Sequence, residues 1–306
     1  MNKIKNILIC GLGGVGCVCA SSIYDAKEYN LKILVDEKRI EKYKQTLTTY
    51  NDKEYNFEYI LPTNNEFLAD LIIIATKNDG LKEAIKNIKN FVNENTIIIS
   101  LLNGIHSEEE IAKIYGWKNI LISYYIGNSC IREDRKITMK GKYNLVIGTN
   151  KEENKDALYK VENLFKKTNI SYKLEENILD EYWKKFLINV GVNQACAYTK
   201  LELKEIRDNI ENTNLLKALM KEAMEIAEKE GIKNHKEIYQ KAEKFLLKEM
   251  DNAHPSMLQD VENKRKSEVE IFAGKVLELG KKYNIKTPAN EKIYKTIKQA
   301  ENDYLQ

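Results

Sequence analysis

The stretch KIKNILICGLGGVG, residues 3–16, places a short apolar run directly before a turn with the spacing G-x-G-x-x-G. The run Ile4 to Cys10 suits one buried strand, and the small and apolar residues Val18 to Ile23 are typical of a closely packed helix. In that context the glycines permit a tight turn, so that backbone amides at the start of the helix can face a pyrophosphate. The stretch therefore predicts a dinucleotide-binding unit, against the alternative of a purely structural glycine turn. We expect the cofactor to contact the whole turn, which comprises Gly11, Leu12, Gly13, Gly14, Val15 and Gly16.

The residues that follow the second apolar run leave the choice of dinucleotide open. That run ends at Asp36, about 20 residues beyond the glycine turn, where a carboxylate can bind the ribose 2′-hydroxyl of NAD(H). Lys38 and Arg39 follow and could instead hold the 2′-phosphate of NADP(H), or could simply begin a solvated helix. Both cofactors remain open at this point.

The first half of the chain alternates short apolar runs with amphipathic stretches. Continuous apolar runs are typical of strands buried on both faces of a parallel sheet that is layered with helices. Two strand-like pieces, Ile137 to Met139 and Leu145 to Ile147, flank Lys140-Gly141-Lys142 and predict a hairpin added to this sheet. The runs that predict the sheet itself are Ile4 to Cys10, Leu31 to Val35, Leu71 to Ala75, Ile97 to Leu102 and Asn119 to Ile126.

Strand signals disappear from about Ile178 onward, and helical periodicity replaces them. A chain of 306 residues also exceeds the usual size of a single core, which favours two domains. We predict an α/β N-terminal Rossmann-type domain over residues 1–176 and an all-α C-terminal domain over residues 177–306. The predicted helices of the second domain are Glu181 to Ala197, Leu215 to Glu230, Lys236 to Met250, Ser256 to Tyr283 and Glu291 to Gln306.

The composition excludes several classes of protein and site. The 49 Lys and Arg residues nearly balance the 46 Asp and Glu residues, and this argues against the one-sided basic surface that nucleic-acid binding needs. Five cysteines without a C-x-x-C pair, and three histidines without i, i+4 spacing, argue against a disulfide framework and a metal site. No apolar run approaches the roughly 18 residues of a membrane span, so we expect a cytoplasmic protein without membrane partners.

The predicted helix over residues 182–197 is apolar around most of its circumference, which is typical of an interior helix. Lys185, Asn189 and Asn193 nevertheless fall at i, i+4 and i+8, so an amine and two amides share one side of it. The asparagines could merely link neighbouring helices while the lysine reaches water. Alternatively, a lysine ammonium beside two amides can polarise a keto oxygen and donate a proton as hydride reaches the adjacent carbon.

A second polar row is predicted where Ser256, Asp260, Lys264 and Glu268 repeat every four residues. On one continuous helix these side chains would share a face. Ser256 could equally be an ordinary residue at a helix N-terminus, and the other three could form a surface salt-bridge ladder. Neither polar row identifies a reaction by itself.

Taken together, these blocks resemble the ketopantoate reductase family (2-dehydropantoate 2-reductases) over nearly the full length of the chain. Such a resemblance is far more specific than the glycine turn. The matching blocks are Gly11 to Gly16; Ala75-Thr76-Lys77; Leu101 to Ile105 with Glu108-Glu109; Tyr125-Ile126-Gly127; Trp183-Lys184-Lys185 with Asn189 and Asn193; Ser256 to Asp260; and Glu268 with Gly274.

The resemblance implies a role for each residue of the polar rows. Lys185 matches the family's catalytic proton donor, and Asn189 and Asn193 match amides that bind the substrate. Ser256 matches the hydroxyl that helps to hold the substrate. Glu268 matches an acidic residue that lines the active site and contacts the cofactor region.

The resemblance also implies contacts at the nicotinamide end and a reaction. Lys77 and Asn103 match residues beside the nicotinamide, and Asn103 is expected to touch both ligands. The implied reaction transfers hydride from the cofactor to the keto carbon of 2-dehydropantoate, giving pantoate for pantothenate and coenzyme A synthesis. NADPH is the usual donor in the family, which favours NADP(H), with NAD(H) still allowed by Asp36.

Departures from the family pattern affect the substrate more than the chemistry. The Asn-Pro-Leu-Thr-Ala stretch of the family reads Asn193-Gln194-Ala195-Cys196-Ala197 here, and the Asn-Gly after the acidic residue reads Ala273-Gly274. A related reductase of another small 2-keto acid is therefore the main alternative, and a noncatalytic dinucleotide-binding protein of the same fold is a second one. We expect a monomer or a homodimer.

Overall fold

The computed structural model describes residues 3–127, 130–139 and 141–305. The chain divides into two compact units, one made of Met1–Asn103 and Ser107–Ile178, and the other made of Gly104–His106 and Leu179–Gln306. The first unit is α/β and the second is helical, so the predicted fold class is confirmed. The division lies two residues beyond the predicted boundary and assigns the short segment after Asn103 to the helical unit.

Runs of branched apolar residues form the central strands of the first unit. The strands β1, β6 and β7 are almost completely buried on both faces, as continuous apolar runs require. Within the described ranges, the strands are β1 (Asn6–Cys10), β2 (Asn30–Leu34), β3 (Thr48–Tyr50), β4 (Lys53–Tyr55), β5 (Glu58–Ile60), β6 (Leu71–Ile74), β7 (Ile97–Ser100), β8 (Ile120–Gly127), β9 (Cys130–Glu133), β10 (Lys136–Met139), β11 (Tyr143–Gly148) and β12 (Tyr172–Leu174). The helices of this unit are α1 (Gly14–Ala26), α2 (Glu37–Gln45), α3 (Leu81–Asn87), α4 (Ser107–Tyr115) and α5 (Lys155–Thr168).

Eight of the described strands form one sheet in the order β12-β11-β8-β7-β6-β1-β2-β5. The pairs from β8 to β5 are parallel, and β11 joins β8 in the antiparallel sense. Helices α1 and α5 contribute to the apolar core on one face, and α3 and α4 to the core on the other face. Because β7, β6, β1 and β2 are neighbouring parallel strands, their carboxyl ends meet at one edge of the sheet.

The predicted hairpin between residues 137 and 147 is wrong. Strand β10 pairs with β9 and β3 in a separate four-stranded sheet, whereas β11 pairs with β8 in the large sheet. The hairpin turn lies instead at Asp134 and Arg135, where Asp134 adopts a left-handed φ of 51° without a glycine to signal it. Gly141 also has a positive φ, 91°, while Lys140 lies outside the described residues.

The second unit packs its helices around one apolar core, to which helix α6 contributes residues along most of its length. No helix among the described residues combines the length and the hydropathy needed to cross a bilayer. The helices are α6 (Ile178–Thr199), α7 (Leu203–Asp208), α8 (Ile210–Lys229), α9 (His235–Lys244), α10 (Ser256–Glu262), α11 (Lys275–Tyr283) and α12 (Pro288–Tyr304), with π-helical turns at Phe245–Glu249 and Glu270–Gly274.

The single helix predicted over residues 256–283 is wrong, because the chain leaves the helix after Glu262. Lys264 adopts a left-handed φ of 52° and its N–H donates to the carbonyl of Val261. The N–H of Arg265 donates to the carbonyl of Asp260 at 2.7 Å, which completes a Schellman closure. Helices usually end in this way at a glycine, so a lysine at the left-handed position hides the stop from sequence reasoning.

His254 connects the start of α7 to the end of α10. Glu202 forms a capping box with Glu205 at the start of α7, and its Oε1 atom also contacts His254 Nδ1 at 3.0 Å. The other ring nitrogen of His254 lies 2.7 Å from Glu262 Oε2. Hydrogen bonding to Glu202, and to a smaller extent to Glu262, raises the pKa of His254 above its usual range.

This raised pKa predicts a stability that depends on pH. Because the folded state favours the protonated ring, the contribution is fully present below the unfolded pKa of about 6.5 and is lost as pH rises through the higher folded value. Denaturant unfolding at about pH 5.5 and about pH 9 should show His254→Gln destabilised more at the lower pH. In a Glu262→Gln background the difference between the two pH values should be smaller, because His254 then keeps only the Glu202 carboxylate as a partner. Equal destabilisation by His254→Gln at both pH values would contradict the ion pair.

Candidate functional site

The glycine turn has the close contacts that the motif requires. Gly11 has a φ of 98°, and a Cβ atom there would lie 2.6 Å from the carbonyl oxygen of Ala75. A Cβ atom on Gly16 would lie 2.0 Å from the carbonyl oxygen of Gly11. Both positions exclude any larger residue, so the turn holds β1, α1 and the segment after β6 together.

The middle of the turn is open, as a ligand site requires. Within the part of the chain that the structure describes, a Cβ atom on Gly13 would have nothing within 4 Å, and no side-chain hydrogen bond caps helix α1 at this residue. Leu12 and Val15 direct their side chains into the apolar core of this unit, so the backbone faces the open space. Oγ1 of Thr76, directly after β6, is buried without a hydrogen-bond partner among the described residues. The backbone at the start of α1 therefore fits a pyrophosphate.

Gly14 has no room for a side chain, because Cys130 packs against it, and the sequence did not indicate this contact. A Cβ atom on Gly14 would lie 2.5 Å from the Cβ atom of Cys130, which begins strand β9 of the small sheet. The strands of that sheet also border α1 through the aromatic residues Tyr24 and Tyr55, whose rings are 5.6 Å apart. Strand β9 reaches this position because its hairpin partner β10 pairs with β3, which is distant in sequence, and no local signal indicates that pairing.

Asp36 has a local structural role at the start of α2. Its side chain accepts a hydrogen bond from the Arg39 N–H at 2.8 Å, which caps the helix, and it also pairs with the Arg39 guanidinium at 3.3 Å. The Arg39 side chain remains two-thirds exposed. The structure thus places the Arg39 guanidinium beside the Asp36 carboxylate, just after β2. The sequence left open which of these two groups would contact the cofactor.

Lys77 follows β6, which pairs with β1, and Asn103 follows β7, the next strand beyond β6. Lys77 is exposed at the start of a short helical turn, Asn78–Gly80, and Asn103 is half-buried. The carbonyl of Ala75, which lies against Gly11, is two residues before Lys77. Both side chains therefore begin at the same sheet edge as the glycine turn.

Helix α6 carries the predicted polar row on an otherwise buried helix. Lys185 and Asn189 are half-buried, and Asn193 is only 7% exposed. The amide nitrogen of Asn193 donates to the amide oxygen of Asn189 at 3.2 Å, as residues one turn apart can. The lysine lies one turn further toward the N-terminus of the same helix, so the three groups follow one side of it.

The second polar segment joins this row. Ser256 Oγ lies 3.3 Å from the Asn193 amide oxygen and 3.4 Å from Glu268 Oε2, so its single O–H can donate to either acceptor. The N–H of Met257 donates to the same amide oxygen at 3.4 Å. Asn189, Asn193, Ser256 and Glu268 therefore form one continuous polar chain. The long contacts leave room for the groups to tighten on a bound ligand.

The predicted helical row from Ser256 to Glu268 is nevertheless wrong in its geometry. The helix ends before Lys264, which is exposed, so Glu268 reaches Ser256 from a separate segment. Asp260 is buried and pairs with Arg265 at 2.8 Å instead of joining a ladder with Lys264. The correct pairing needs the Schellman closure, which four-residue spacing does not include.

A second buried network, also missed by sequence reasoning, involves the residue after Asn193. Gln194 Nε2 donates to the amide oxygen of Asn290 at 2.9 Å. Asn290 in turn donates to Glu222, whose carboxylate also accepts the N–H groups of Ala289 and Asn290 at the start of α12. Gln194 replaces the proline expected at this position, so the departure supplies a link between α6, α12 and α8.

The cysteines are poor candidates for thiolate chemistry. All five are free thiols, and burial raises the pKa of Cys17, Cys19 and Cys196 to about 12. Burial also raises the pKa of Cys10 and Cys130. Thiols with such pKa values stay protonated near neutral pH.

Comparison with known proteins identifies the family. Residues 7–152 match the family model "Ketopantoate reductase PanE/ApbA", and residues 177–301 match "Ketopantoate reductase PanE/ApbA C terminal". A 2-dehydropantoate 2-reductase of Streptococcus pyogenes is 28% identical over 289 residues, which cover 92% of this chain and 93% of the relative.

Solved structures share the fold over nearly the whole chain. D-mandelate dehydrogenase, solved with NADH and anilino(oxo)acetate, is 21% identical with a TM-score of 0.85, over 98% of this chain and 99% of that one. A dimeric ketopantoate reductase from Staphylococcus aureus is 22% identical with a TM-score of 0.79, over 98% and 99% of the two chains. With the two family models covering both units, the chain belongs to the ketopantoate reductase family, oxidoreductases that act on a keto group.

Proposed function

We propose that this protein catalyses the NADPH-dependent reduction of 2-dehydropantoate to pantoate, in the synthesis of pantothenate and coenzyme A. Family membership supports a keto acid as substrate. The observation that carries the proposal is the polar chain Asn189–Asn193–Ser256–Glu268, which continues the row begun by Lys185 on a buried helix. A few polar groups placed together on a largely buried helix can orient a small polar substrate.

The chemistry follows from the residue types. A bound reduced nicotinamide supplies the hydride that reaches the keto carbon. Lys185 is the proton donor, because its ammonium can stabilise the charge that develops on the keto oxygen and then transfer a proton to it. The amides of Asn189 and Asn193 and the hydroxyl of Ser256 orient the substrate. Glu268 accepts a hydrogen bond from Ser256 and keeps that hydroxyl directed.

The first unit is proposed to hold the dinucleotide. The glycine turn from Gly11 to Gly16 binds the pyrophosphate, while Lys77 and Asn103 contact the nicotinamide end, and Asn103 also touches the substrate. Arg39 favours NADPH, since the Asp36 carboxylate that would otherwise bind a 2′-hydroxyl is already paired with it. We place the boundary between the dinucleotide and substrate units at 176/177, directly before the second family match begins.

Another 2-keto acid is the main alternative substrate. The chain departs from the family pattern directly after Asn193, where Gln194 enters the buried network with Asn290. D-mandelate dehydrogenase, whose structure was solved with anilino(oxo)acetate, has the same fold. The assembly is proposed to be a monomer or a homodimer, the latter being the state named for the Staphylococcus aureus relative.

A substrate panel tests the proposed reaction. We expect NADPH oxidation, followed by absorbance, to be fastest with 2-dehydropantoate. The panel should contain straight-chain, branched and aromatic 2-keto acids at equal concentration, each compared by kcat/KM. Much faster turnover of another acid would replace the proposed substrate, and no turnover with any of them would contradict the reductase activity.

Two adjacent lysines on α6 test the proton donor. Lys185→Ala should lower kcat by about 10²- to 10⁴-fold, the usual contribution of a general acid, and leave NADPH affinity nearly unchanged. Lys184→Ala is the matched control, because that side chain instead pairs with Glu181. Steady-state kinetics and fluorescence titration of NADPH separate the two effects. Equal turnover in the wild type and Lys185→Ala would remove Lys185 from the mechanism.

The cofactor preference depends on Arg39. Arg39→Gln should lower kcat/KM for NADPH by about tenfold, the loss of one charge-assisted contact to a phosphate, while kcat/KM for NADH changes little. Lys44→Gln in the last turn of the same helix is the control, since Lys44 pairs with Glu41. Equal losses with both cofactors after Arg39→Gln would exclude a contact to the 2′-phosphate.

A further inference from the structure

The segment between α10 and the π-helical turn, residues 263–269, contains no regular helix or strand and yet is anchored to helix α12 and to the end of α10. The carbonyl of Arg265 accepts a hydrogen bond from the Tyr304 hydroxyl at 3.0 Å, and the Arg265 side chain pairs with Asp260 at 2.8 Å. Exposed connecting segments usually lack such anchors. Each contact restricts the path of the chain toward Glu268.

The strongest anchor is a buried carboxylate. Glu301 on α12 is only 2% exposed, and its Oε1 atom accepts hydrogen bonds from the Ser267 N–H at 2.8 Å and from the Ser267 hydroxyl at 2.7 Å. Its Oε2 atom lies 3.2 Å from Lys298 Nζ. A buried carboxylate is costly unless it is hydrogen-bonded and paired, and here both conditions are met.

Ser267 transmits this anchor to Glu268. Its hydroxyl accepts a hydrogen bond from the Val269 N–H at 3.3 Å, while the carbonyl of Glu268 accepts one from the Ile271 N–H at 3.1 Å. Ser267 thus begins the helical segment in the manner of a cap, and Glu268 is its first residue. The backbone of Glu268 is fixed by the residue before it.

Helix α12 also holds the chain just after Glu268, through Glu270. Glu270 accepts hydrogen bonds from the Tyr294 hydroxyl and pairs with Lys298 at 3.0 Å, the same lysine that pairs with Glu301. Helix α12 therefore holds the chain both before and after Glu268. The carboxylate of Glu268 is left directed at Ser256, where Oε2 and Oγ are 3.4 Å apart.

We propose that Glu301 is a positioning residue for the reductase site, acting through Ser267 to hold the Glu268 carboxylate at hydrogen-bond distance from Ser256. This inference rests on the proposed function only for its kinetic consequence. Glu301 touches neither substrate nor cofactor in this scheme. The two hydrogen bonds that it accepts from Ser267 determine where Glu268 lies.

Substitutions at Glu301 separate positioning from general packing. Glu301→Ala should lower kcat about 10- to 100-fold, the range that a displacement of about 1 Å in a site produces, with a smaller change in NADPH affinity. Glu301→Gln keeps an oxygen that can accept from Ser267, and it should recover most of the turnover. Thr213→Val is the control, since it removes another buried hydrogen bond of this unit, from Thr213 to the Ile206 carbonyl.

A double-mutant cycle with Glu268→Gln identifies the path of the effect. If Glu301 acts through Glu268, Glu301→Ala should lower kcat little further in the Glu268→Gln background, because the group it positions is already lost. A loss of the same factor in both backgrounds would overturn the inference. Equal effects of Glu301→Ala and Thr213→Val on kcat would overturn it as well.

A crystal structure of Glu301→Ala gives a readout that does not need turnover. We expect residues 263–268 to be displaced and the contact between Glu268 and Ser256 to be lost, while Asn193 and Asn189 stay in contact. An unchanged distance between Glu268 Oε2 and Ser256 Oγ would overturn the inference even if the proposed reaction is correct. Failure of the wild type to reduce any keto acid would refute the proposed function. The distance between Glu268 and Ser256 in Glu301→Ala would still test whether Glu301 positions Glu268.

Discussion

The hydrogen bonding of one buried amide, that of Asn193, organises the helical unit. Its side chain is 7% exposed on a helix that is largely buried, and an unsatisfied amide there would cost about 1–3 kcal/mol. The amide group contacts Asn189 on the same helix and both Ser256 and the Met257 N–H at the start of α10. Because these partners come from two segments, satisfying one amide aligns α6 with α10 and leads the polar chain to Glu268.

In the first unit the corresponding constraint is steric. Gly11 and Gly16 allow backbone contacts that no Cβ atom could enter, and these contacts bring the segment after β6 against the turn after β1. Neighbouring parallel strands then present their carboxyl ends together, which is where ligands of open α/β sheets bind. The open space around Gly13 is a consequence of the same packing.

The buried network of Gln194, Asn290 and Glu222 gives a physical reason for the departure from the family pattern after Asn193. Gln194 stands where the family pattern has proline, and its side chain reaches Asn290 and, through it, Glu222. Glu222 also accepts two backbone N–H groups at the start of α12, the helix whose far end carries Glu301. One helix therefore connects the neighbour of Asn193 to the segment that holds Glu268.

Local periodicity along the chain was enough to predict the fold class and to nominate most of the candidate site residues. Continuous apolar runs predicted β1, β6 and β7, glycine spacing predicted the turn, and spacing of four residues predicted the row Lys185, Asn189 and Asn193. The pairing and hydrogen-bond partners of these residues, in contrast, depend on tertiary packing. The pairing of β10 with β3 and the anchoring of Ser267 by Glu301 join residues far apart in sequence, and the Schellman closure at Lys264 lacks the glycine that usually marks it. Burial forces such groups to find hydrogen bonds wherever the fold brings a partner, and that choice is made by packing between segments distant in sequence.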